Sequence, residues 1–172
     1  MKLPRRYLLT TLAALALSCS LPLLVSAQDG PVLLTGAELT RVVPTGFYFQ
    51  GQSAPTQMRN AAAARFGANR FVIAGMVDTS GYAADVRARY EGFLITDSAI
   101  TINGSELATG AYGFGFSDDG KLHILDLAGN ELLSVSTINH KELKRPRPLM
   151  MTSAGKTVRL YSGRDYVEIA TK

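Results

Sequence analysis

The chain has 172 residues, of which 47% are hydrophobic and 19% charged, and it contains 16 glycines and a single cysteine. This length and composition are typical of one ordinary globular domain and exclude collagen-like, coiled-coil and disordered chains. A net charge of +4 raises the question of a nucleic-acid partner. The answer depends on where these charges lie along the chain.

The first 27 residues have the pattern of a secretory signal peptide. Three basic residues open the chain: Lys2, Arg5 and Arg6. Residues 7–27 carry no charge, are mainly apolar and end on Val-Ser-Ala. A basic start, an apolar middle and small residues at the exit predict cleavage before Gln28. We therefore expect residues 28–172 to form a single β-rich domain that is periplasmic or secreted, with no stable transmembrane span after cleavage.

Cleavage would change the charge and the chemistry of the chain. Three of the 18 basic residues belong to the leader, so residues 28–172 carry 15 basic and 14 acidic residues, a net charge of +1. The charge argument for nucleic-acid binding then disappears, and no nucleic-acid partner is expected. Because Cys19 is the only cysteine, the exported chain would have no disulfide and no thiolate nucleophile. No metal site and no cofactor are predicted.

Two details of the leader leave the export route open. Cys19 follows Leu-Ser, which offers a lipid-anchored form as the alternative to simple cleavage. The pair Arg5-Arg6 fits twin-arginine export as well as the general secretory route.

The chain from residue 86 onward has the pattern of an antiparallel β-protein. Short apolar or alternating segments recur about every 8 to 12 residues and are separated by Gly, Asn and Asp. This predicts a mainly β fold, a single-domain antiparallel β-sandwich or incomplete barrel with one or two short helices. We predict strands at residues 86–95, 99–102, 105–107, 111–116, 121–127, 131–135, 149–152, 157–161 and 166–170.

Three dipeptides predict the hairpin turns of this sheet. Asn103-Gly104 is the strongest signal, because both residues tolerate the positive φ of a two-residue type I′ turn. We expect the same turn at Asp119-Gly120, and a further turn at Gly129-Asn130.

The N-terminal part of the domain is less regular. Thr35 and Glu38 have the spacing of a capping box, which predicts a short helix that ends before Pro44. Residues 53–66 fit two structures: a helix that begins near Pro55 and presents one apolar face, or one arm of a β-hairpin. The sequence alone does not separate them.

The predicted strand at residues 111–116 has two very different faces. The aromatic face would carry Tyr112, Phe114 and Phe116, and the small face Ala111, Gly113 and Gly115. A face without side chains lets a ligand such as a sugar or an acyl chain approach the backbone. The alternative is a tightly packed sheet core. We take Tyr112, Gly113 and Gly115 as candidate ligand-binding residues.

Polar groups elsewhere give further candidates. Asp78, Ser80 and Tyr82 follow a long apolar run, where they could line a site at the rim of the sheet or simply close a turn onto their own backbone. His123 is one of only two histidines and the candidate general base, with Asp78 or Asp126 as its partner. The second histidine, His140, is expected to be a solvated side chain. The chain has no nucleophile elbow, phosphate-binding loop or zinc-protease motif.

Residues 103–112, Asn-Gly-Ser-Glu-Leu-Ala-Thr-Gly-Ala-Tyr, resemble a pattern found in uncharacterised exported bacterial proteins, in which such a hairpin leads into a β-sandwich core. Residues 74–82 and 146–166 are similar to the same kind of secreted protein. The resemblance implies a β-sandwich and export, and it implies no catalytic residue.

These observations lead to three hypotheses for function. The first is a non-enzymatic domain of the bacterial envelope that binds a small apolar or sugar-like ligand or a partner protein. The second is an envelope hydrolase or isomerase that uses His123 with Asp78 or Asp126. The third is a structural or adhesive module that associates through an exposed sheet edge.

Overall fold

The computed structural model describes residues 30–172, so the leader predicted at residues 1–27 and the lipid-anchor alternative at Cys19 lie outside the described residues. Of the described residues, 58% are in strands and 8% in helices, and the strands form two antiparallel sheets. The sheets do not close into a barrel, and the predicted β-sandwich with two short helices is confirmed. No helix in residues 30–172 is long and apolar enough to cross a membrane.

Within residues 30–172 the elements are fourteen strands and two helices. The helices are α1 (Gly36–Val42) and α2 (Ala84–Arg87). The strands are β1 (Val32–Leu33), β2 (Gly46–Phe49), β3 (Gln52–Phe66), β4 (Arg70–Val77), β5 (Gly92–Thr96), β6 (Ile100–Ile102), β7 (Ser105–Leu107), β8 (Gly110–Ser117), β9 (Lys121–Leu125), β10 (Glu131–Ser136), β11 (Ile138–Asn139), β12 (Arg147–Ala154), β13 (Thr157–Gly163) and β14 (Asp165–Thr171).

The chain divides its strands between two sheets. The first sheet has the order β1-β3-β4-β5-β8-β9-β10, with β2 also paired to β3. The second has the order β12-β13-β14-β6-β7, with β11 also paired to β14. The chain therefore leaves the first sheet after β5 to build the hairpin β6–β7, returns for β8 to β10, and completes the second sheet with β11 to β14.

The main hydrophobic core lies between the two sheets. It follows from period-two alternation, because every second residue of a strand points to the same face. Val72 and Ala74 of β4 and Leu122 and Ile124 of β9 supply the first sheet, and residues of β13 and β14 such as Val167 supply the second. All five are fully buried.

A second, smaller core covers the opposite face of the first sheet. Phe93 lies on this face while its neighbour Leu94 belongs to the main core. Residues of β2 and of the segment around α2 pack over it, and the rings of Phe49 and Tyr90 stack with their centroids 3.9 Å apart. The first sheet is thus buried on both faces, which accounts for the continuously apolar runs of β4 and β5.

The structure decides between the two alternatives for residues 53–66: the segment is a strand. Residues 52–66 form β3, which pairs with β4 and carries a bulge between Thr56 and Ala61. Alanines favour a helix in isolation, but pairing with neighbouring strands overrides that preference.

The predicted helix is confirmed as α1, but the capping box is wrong. Thr35 is the N-cap and makes no side-chain hydrogen bond to the helix. Gly36, the next residue, has a φ of +54°, so the backbone between cap and helix departs from the geometry that a capping box requires.

The prediction that residues 86–91 form the first half of a strand is wrong. This segment contains the end of α2 and a tight turn, in which the amide of Tyr90 donates to the carbonyl oxygen of Val86 at 3.0 Å. Six residues of alternating polarity do not separate a strand from a short helical turn, and burial of the Tyr90 ring against Phe49 decides between them.

The hairpin at Asn103-Gly104 is confirmed, with φ values of 47° and 84°. The two-residue turn predicted at Asp119-Gly120 is wrong in type. Gly120 alone has a positive φ, and residues 118–120 form a longer turn in which the Gly120 amide donates to Ser117 at 3.0 Å. The longer turn shifts the pairing of β8 with β9 by one residue, since Ser117, and not Asp118, pairs with Lys121.

Candidate functional site

The glycine face of β8 is covered by the protein itself. A Cβ at Gly113 would lie 2.6 Å from the ring of Phe49, and one at Gly115 would lie 2.3 Å from the carbonyl oxygen of Arg89. Real Cβ contacts are not this short, so β2 and the α2 segment occupy the space that a ligand would need. Of the two alternatives, the open ligand face is wrong and the tightly packed sheet core is what the structure shows: the glycines serve close packing of the second core.

Tyr112 lies on the other face of β8, inside the main core. Its hydroxyl donates to the carbonyl oxygen of Ala108 at 2.9 Å, and burial raises the pKa of the phenol. The sheet therefore separates Tyr112 from Gly113 and Gly115, and the three do not share a site.

Asp78 and Ser80 close a turn onto their own backbone. The Ser80 amide donates to Asp78 Oδ1 at 3.0 Å, and this hydrogen bond lowers the pKa of the Asp78 carboxyl. The hydroxyl of Tyr82 lies 3.2 Å from the carbonyl oxygens of both Phe49 and Gln52, to which it can donate, and its ring is buried in the second core. Asp78 and Ser80 thus serve a turn and Tyr82 serves the second core, so these residues do not form one open site with the glycines of β8.

His123 lies at the centre of a polar line across β8, β9 and β10. Its Nε2 is 2.9 Å from the hydroxyl oxygen of Ser117, and its Nδ1 is 2.6 Å from Oε2 of Glu131. The His123 side chain is 18% exposed and that of Glu131 49%. Serine, histidine and carboxylate are thus aligned in the order that an activated serine requires.

Strand register explains this alignment. Lys121 pairs with Ser117, so Ser117 and His123 lie two positions apart on the same face of adjacent strands. A bulge between Glu131 and Leu133 shifts β10 by one residue, and the carboxylate at the start of that strand reaches the imidazole.

The predicted pairing of His123 with Asp78 or Asp126 is not what the structure shows. Asp78 closes its own turn, as described above. The carboxylate of Asp126 accepts hydrogen bonds from the amides of Ala128 and Asn130 and from the side chain of Asn130, which lowers its pKa and holds the β9–β10 turn. The carboxylate partner of His123 is Glu131.

Besides the imidazole, the hydroxyl of Ser117 has two other acceptors. It is in hydrogen-bond contact with Oδ1 of Asp119, whose other oxygen lies 2.9 Å from Nζ of Lys121. The Ser117 contact and the Lys121 ammonium together lower the pKa of Asp119. The hydroxyl also lies 3.2 Å from the carbonyl oxygen of Lys121. Its single proton can therefore point to the imidazole, to the carboxylate or to this carbonyl.

A polar cleft of about 300 Å³ opens beside Ser117, at the end of the sandwich. The first sheet contributes the end of β8, the β8–β9 turn and residues that flank β5 and β10, and the second sheet contributes the β13–β14 hairpin. The cleft is lined by Glu91, Phe116, Ser117, Asp118, Gly120, Thr137, Ser162 and Asp165.

Glu91 is the most buried acid of this cleft. Burial raises the pKa of its carboxyl, while the amide of Phe116 donates to its Oε2 at 3.1 Å and limits the shift. We refer to the residues that line this hollow as the polar cleft. It brings three carboxylates and three hydroxyls together from both sheets.

Two other hollows differ in character. An apolar groove of about 300 Å³ lies between β1, α1 and β12 and is lined mainly by leucine, alanine and methionine, with Arg147 among its residues. A hollow of about 380 Å³ lies beside Gly30 and the β3–β4 turn. In residues 30–172 no group of three or more His, Cys, Asp or Glu has the arrangement of a metal site.

His140 is not the solvated side chain expected from the sequence. Its Nδ1 lies 3.0 Å from the hydroxyl of Tyr161, and its ring packs near Tyr161 and Tyr166. The basic segment that follows is exposed, but the imidazole itself is half-buried because β11 pairs with β14 beside it.

The sequence did not single out Ser117, Glu131 or Glu91. The predicted two-residue turn at Asp119-Gly120 would have paired Ser117 with Leu122 and put Ser117 and His123 on opposite faces; the longer turn, which pairs Ser117 with Lys121, brings them to one face. The bulge that brings Glu131 to His123 has no glycine to mark it. Glu91 fell in the segment whose structure was predicted wrongly.

Comparisons of the chain with protein-family models, with curated proteins and with solved structures give no match.

Proposed function

We propose that the chain is an exported domain of the bacterial envelope that binds a small hydroxyl-rich ligand, of the sugar type, in the polar cleft. The observation that carries this proposal is the convergence of hydroxyl and carboxylate side chains from both sheets on a cleft of about 300 Å³. Ligand sites are concave and combine an apolar surface with a few polar groups that fix orientation.

The lining supports this class of ligand. Ser117, Thr137 and Ser162 offer hydroxyls that both donate and accept, and the carboxylates accept from sugar hydroxyls. The half-buried ring of Phe116 adds an apolar surface for the carbon face of a sugar. None of the described residues that line the cleft is basic, so a neutral or cationic ligand is favoured over an anionic one.

The test is a titration with glucose and glucosamine, which differ by one hydroxyl replaced with an ammonium group. Backbone amide resonances of residues 30–172 would be followed by NMR in both titrations. We expect the resonances of Ser117, Gly120 and Ser162 to shift, and glucosamine to bind more tightly than glucose because the carboxylates attract its charge.

One substitution tests whether the carboxylates of the polar cleft contribute to binding. Asp165→Asn keeps the oxygen that accepts from the side chain of Asn139 and removes one negative charge. We expect this substitution to weaken the binding of glucosamine about 5-fold, equivalent to ~1 kcal/mol, and to change the binding of glucose less. Glu38→Gln, which removes a charge from α1 outside the cleft, is the matched control. Shifts confined to the apolar groove, or no shift with either sugar at millimolar concentration, would contradict the proposal.

A further inference from the structure

We propose that Ser117 is a nucleophile activated by His123 and Glu131, and that the chain hydrolyses carboxylic esters carried by a hydroxyl group of the ligand in the polar cleft. The inference rests on the proposed function for the alcohol part of the ester. The nucleophile itself rests only on the side chains of β8, β9 and β10.

The hydrogen-bond geometry supports this role. The carboxylate of Glu131, 2.6 Å from Nδ1, holds the neutral imidazole as the Nδ1–H tautomer. Nε2 is then the acceptor, and the hydroxyl of Ser117 lies 2.9 Å from it. A nucleophile hydrogen-bonded to a base that is oriented by a third group is the recurring arrangement of acyl-transfer sites.

The position of the serine also fits. Ser117 lines the polar cleft, while His123 is largely buried behind it and Glu131 lies further out along the first sheet. Of the three residues only Ser117 is part of the cleft lining, so a ligand in the cleft meets Ser117 before it meets His123 or Glu131. Asp118, Asp165 and Glu91 make the surroundings acidic, which selects esters of neutral or cationic alcohols rather than phosphate or sulfate esters.

The chemical steps balance without a cofactor. Ser117 Oγ forms a bond to the ester carbonyl carbon as its proton passes to Nε2 of His123. The bond from that carbon to the alcohol oxygen breaks, and the proton on Nε2 goes to the leaving alcohol. Water then attacks the acyl-serine, His123 takes and returns its proton, and the acid and free Ser117 are released.

Asp119 competes for the serine proton. When the hydroxyl donates to Asp119, His123 has no proton to accept, so this contact holds the site in a resting state. Removing the charge of Asp119 should therefore direct the hydroxyl to His123. A structural turn hydrogen bond, in contrast, would be weakened by that change without any gain in reactivity.

The experiment uses a fluorophosphonate probe on the purified chain, with the modified residue located by mass spectrometry of peptides. In this reaction Ser117 Oγ bonds to phosphorus, fluoride leaves, and the proton passes to His123. We expect a single adduct on Ser117, no adduct in Ser117→Ala, and labelling at least ~100-fold slower in His123→Gln. Asp119→Asn should label faster than the unchanged chain.

Ser134→Ala is the matched control, since Ser134 lies directly opposite His123 on β10 but on the side away from Ser117. It should label like the unchanged chain. Absence of an adduct on Ser117, or labelling that does not depend on His123, would overturn the inference. Sugar binding without labelling would leave the binding proposal standing, and labelling without sugar binding would support the nucleophile while excluding a sugar as the alcohol part.

Discussion

Two tyrosines of the second core show how one hydroxyl changes the energetics of burial. Tyr82 and Tyr90 lie edge to face, with centroids 5.2 Å apart, and both are buried. The hydroxyl of Tyr82 has carbonyl acceptors, while that of Tyr90 has no hydrogen-bond partner among the described residues. An unpaired buried hydroxyl costs free energy that a paired one recovers.

We therefore predict opposite effects for one chemical change. Tyr90→Phe should stabilise the fold by about 1 kcal/mol, because it removes an unpaired polar group and keeps the stacking on Phe49. Tyr82→Phe should destabilise it by about 1 kcal/mol, because it leaves the carbonyl oxygens of Phe49 and Gln52 without this donor. Urea unfolding followed by circular dichroism measures both. Equal loss in the two variants would show that the Tyr90 hydroxyl has a partner in solution.

At the same scale, the sequence could identify the chemistry of His123 but not its neighbours. One histidine on a strand is visible as a candidate base, and its partners depend on register and on the bulge in β10. Asp78 follows a long apolar run and Asp126 lies in the same predicted strand as His123, so both were candidate partners. Both proved to be turn residues, since a short acidic side chain beside a bend bonds the backbone two residues on.

At the scale of single elements, the hairpin β6–β7 does more than reverse the chain. Asn103 at its tip donates through Nδ2 to the carbonyl oxygen of Ser136 at 2.8 Å, and its Oδ1 accepts from the amide of Glu168 at 2.7 Å. One side chain thus connects the β6–β7 turn to β14 in its own sheet and to the end of β10 in the other. Its φ of 47° is also one that asparagine tolerates better than most residues.

Two substitutions separate these contributions. Asn103→Gly keeps the positive φ and removes both side-chain hydrogen bonds, and we expect it to cost about 1 kcal/mol because the site is exposed. Asn103→Ala should cost about 1 to 2 kcal/mol more, since alanine is strained in the left-handed region. Thermal or urea unfolding gives both values. If the two variants are equally stable, the backbone conformation at the turn relaxes and carries no strain.

Turn chemistry made such elements predictable. Asn-Gly specifies φ values that few other pairs adopt, so β6 and β7 follow from the sequence. The segment before β5 was predicted wrongly because alternating polarity over six residues fits a short helix such as α2 as well as it fits a strand. Packing of Tyr90 on Phe49 selects the helix. In β3, the run of alanines favours a helix until β4 and β1 supply pairing partners.

At the scale of the whole molecule, the order of the strands in the two sheets could not be predicted from the sequence. The departure of the chain after β5 to build β6–β7 in the opposite sheet is a long-range choice, and no residue in the connection marks it. The sequence left two alternatives for Gly113 and Gly115, an open face or a packed core, because the elements that cover these glycines come from distant positions in the chain. Local patterns give the strands, and contacts between strands far apart in sequence give the cores and the polar cleft.

This architecture predicts that the two cores unfold together. They share the strands of the first sheet: Val72 of β4 faces the main core and its neighbour Ile73 faces the second core.

Ile73→Val and Ile169→Val each remove one methylene group, the first from the second core and the second from the main core, where Ile169 lies in β14 of the second sheet. Each should lower the free energy of unfolding by about 0.5 to 1.5 kcal/mol. Because the first sheet cannot lose one packed face and keep the other, each variant should shift one transition, with tyrosine fluorescence and far-ultraviolet circular dichroism still coincident. A separate early transition in Ile73→Val alone would mean that β2 and the α2 segment detach as an independent unit. The glycine face of β8 would then be exposed in the partly unfolded chain.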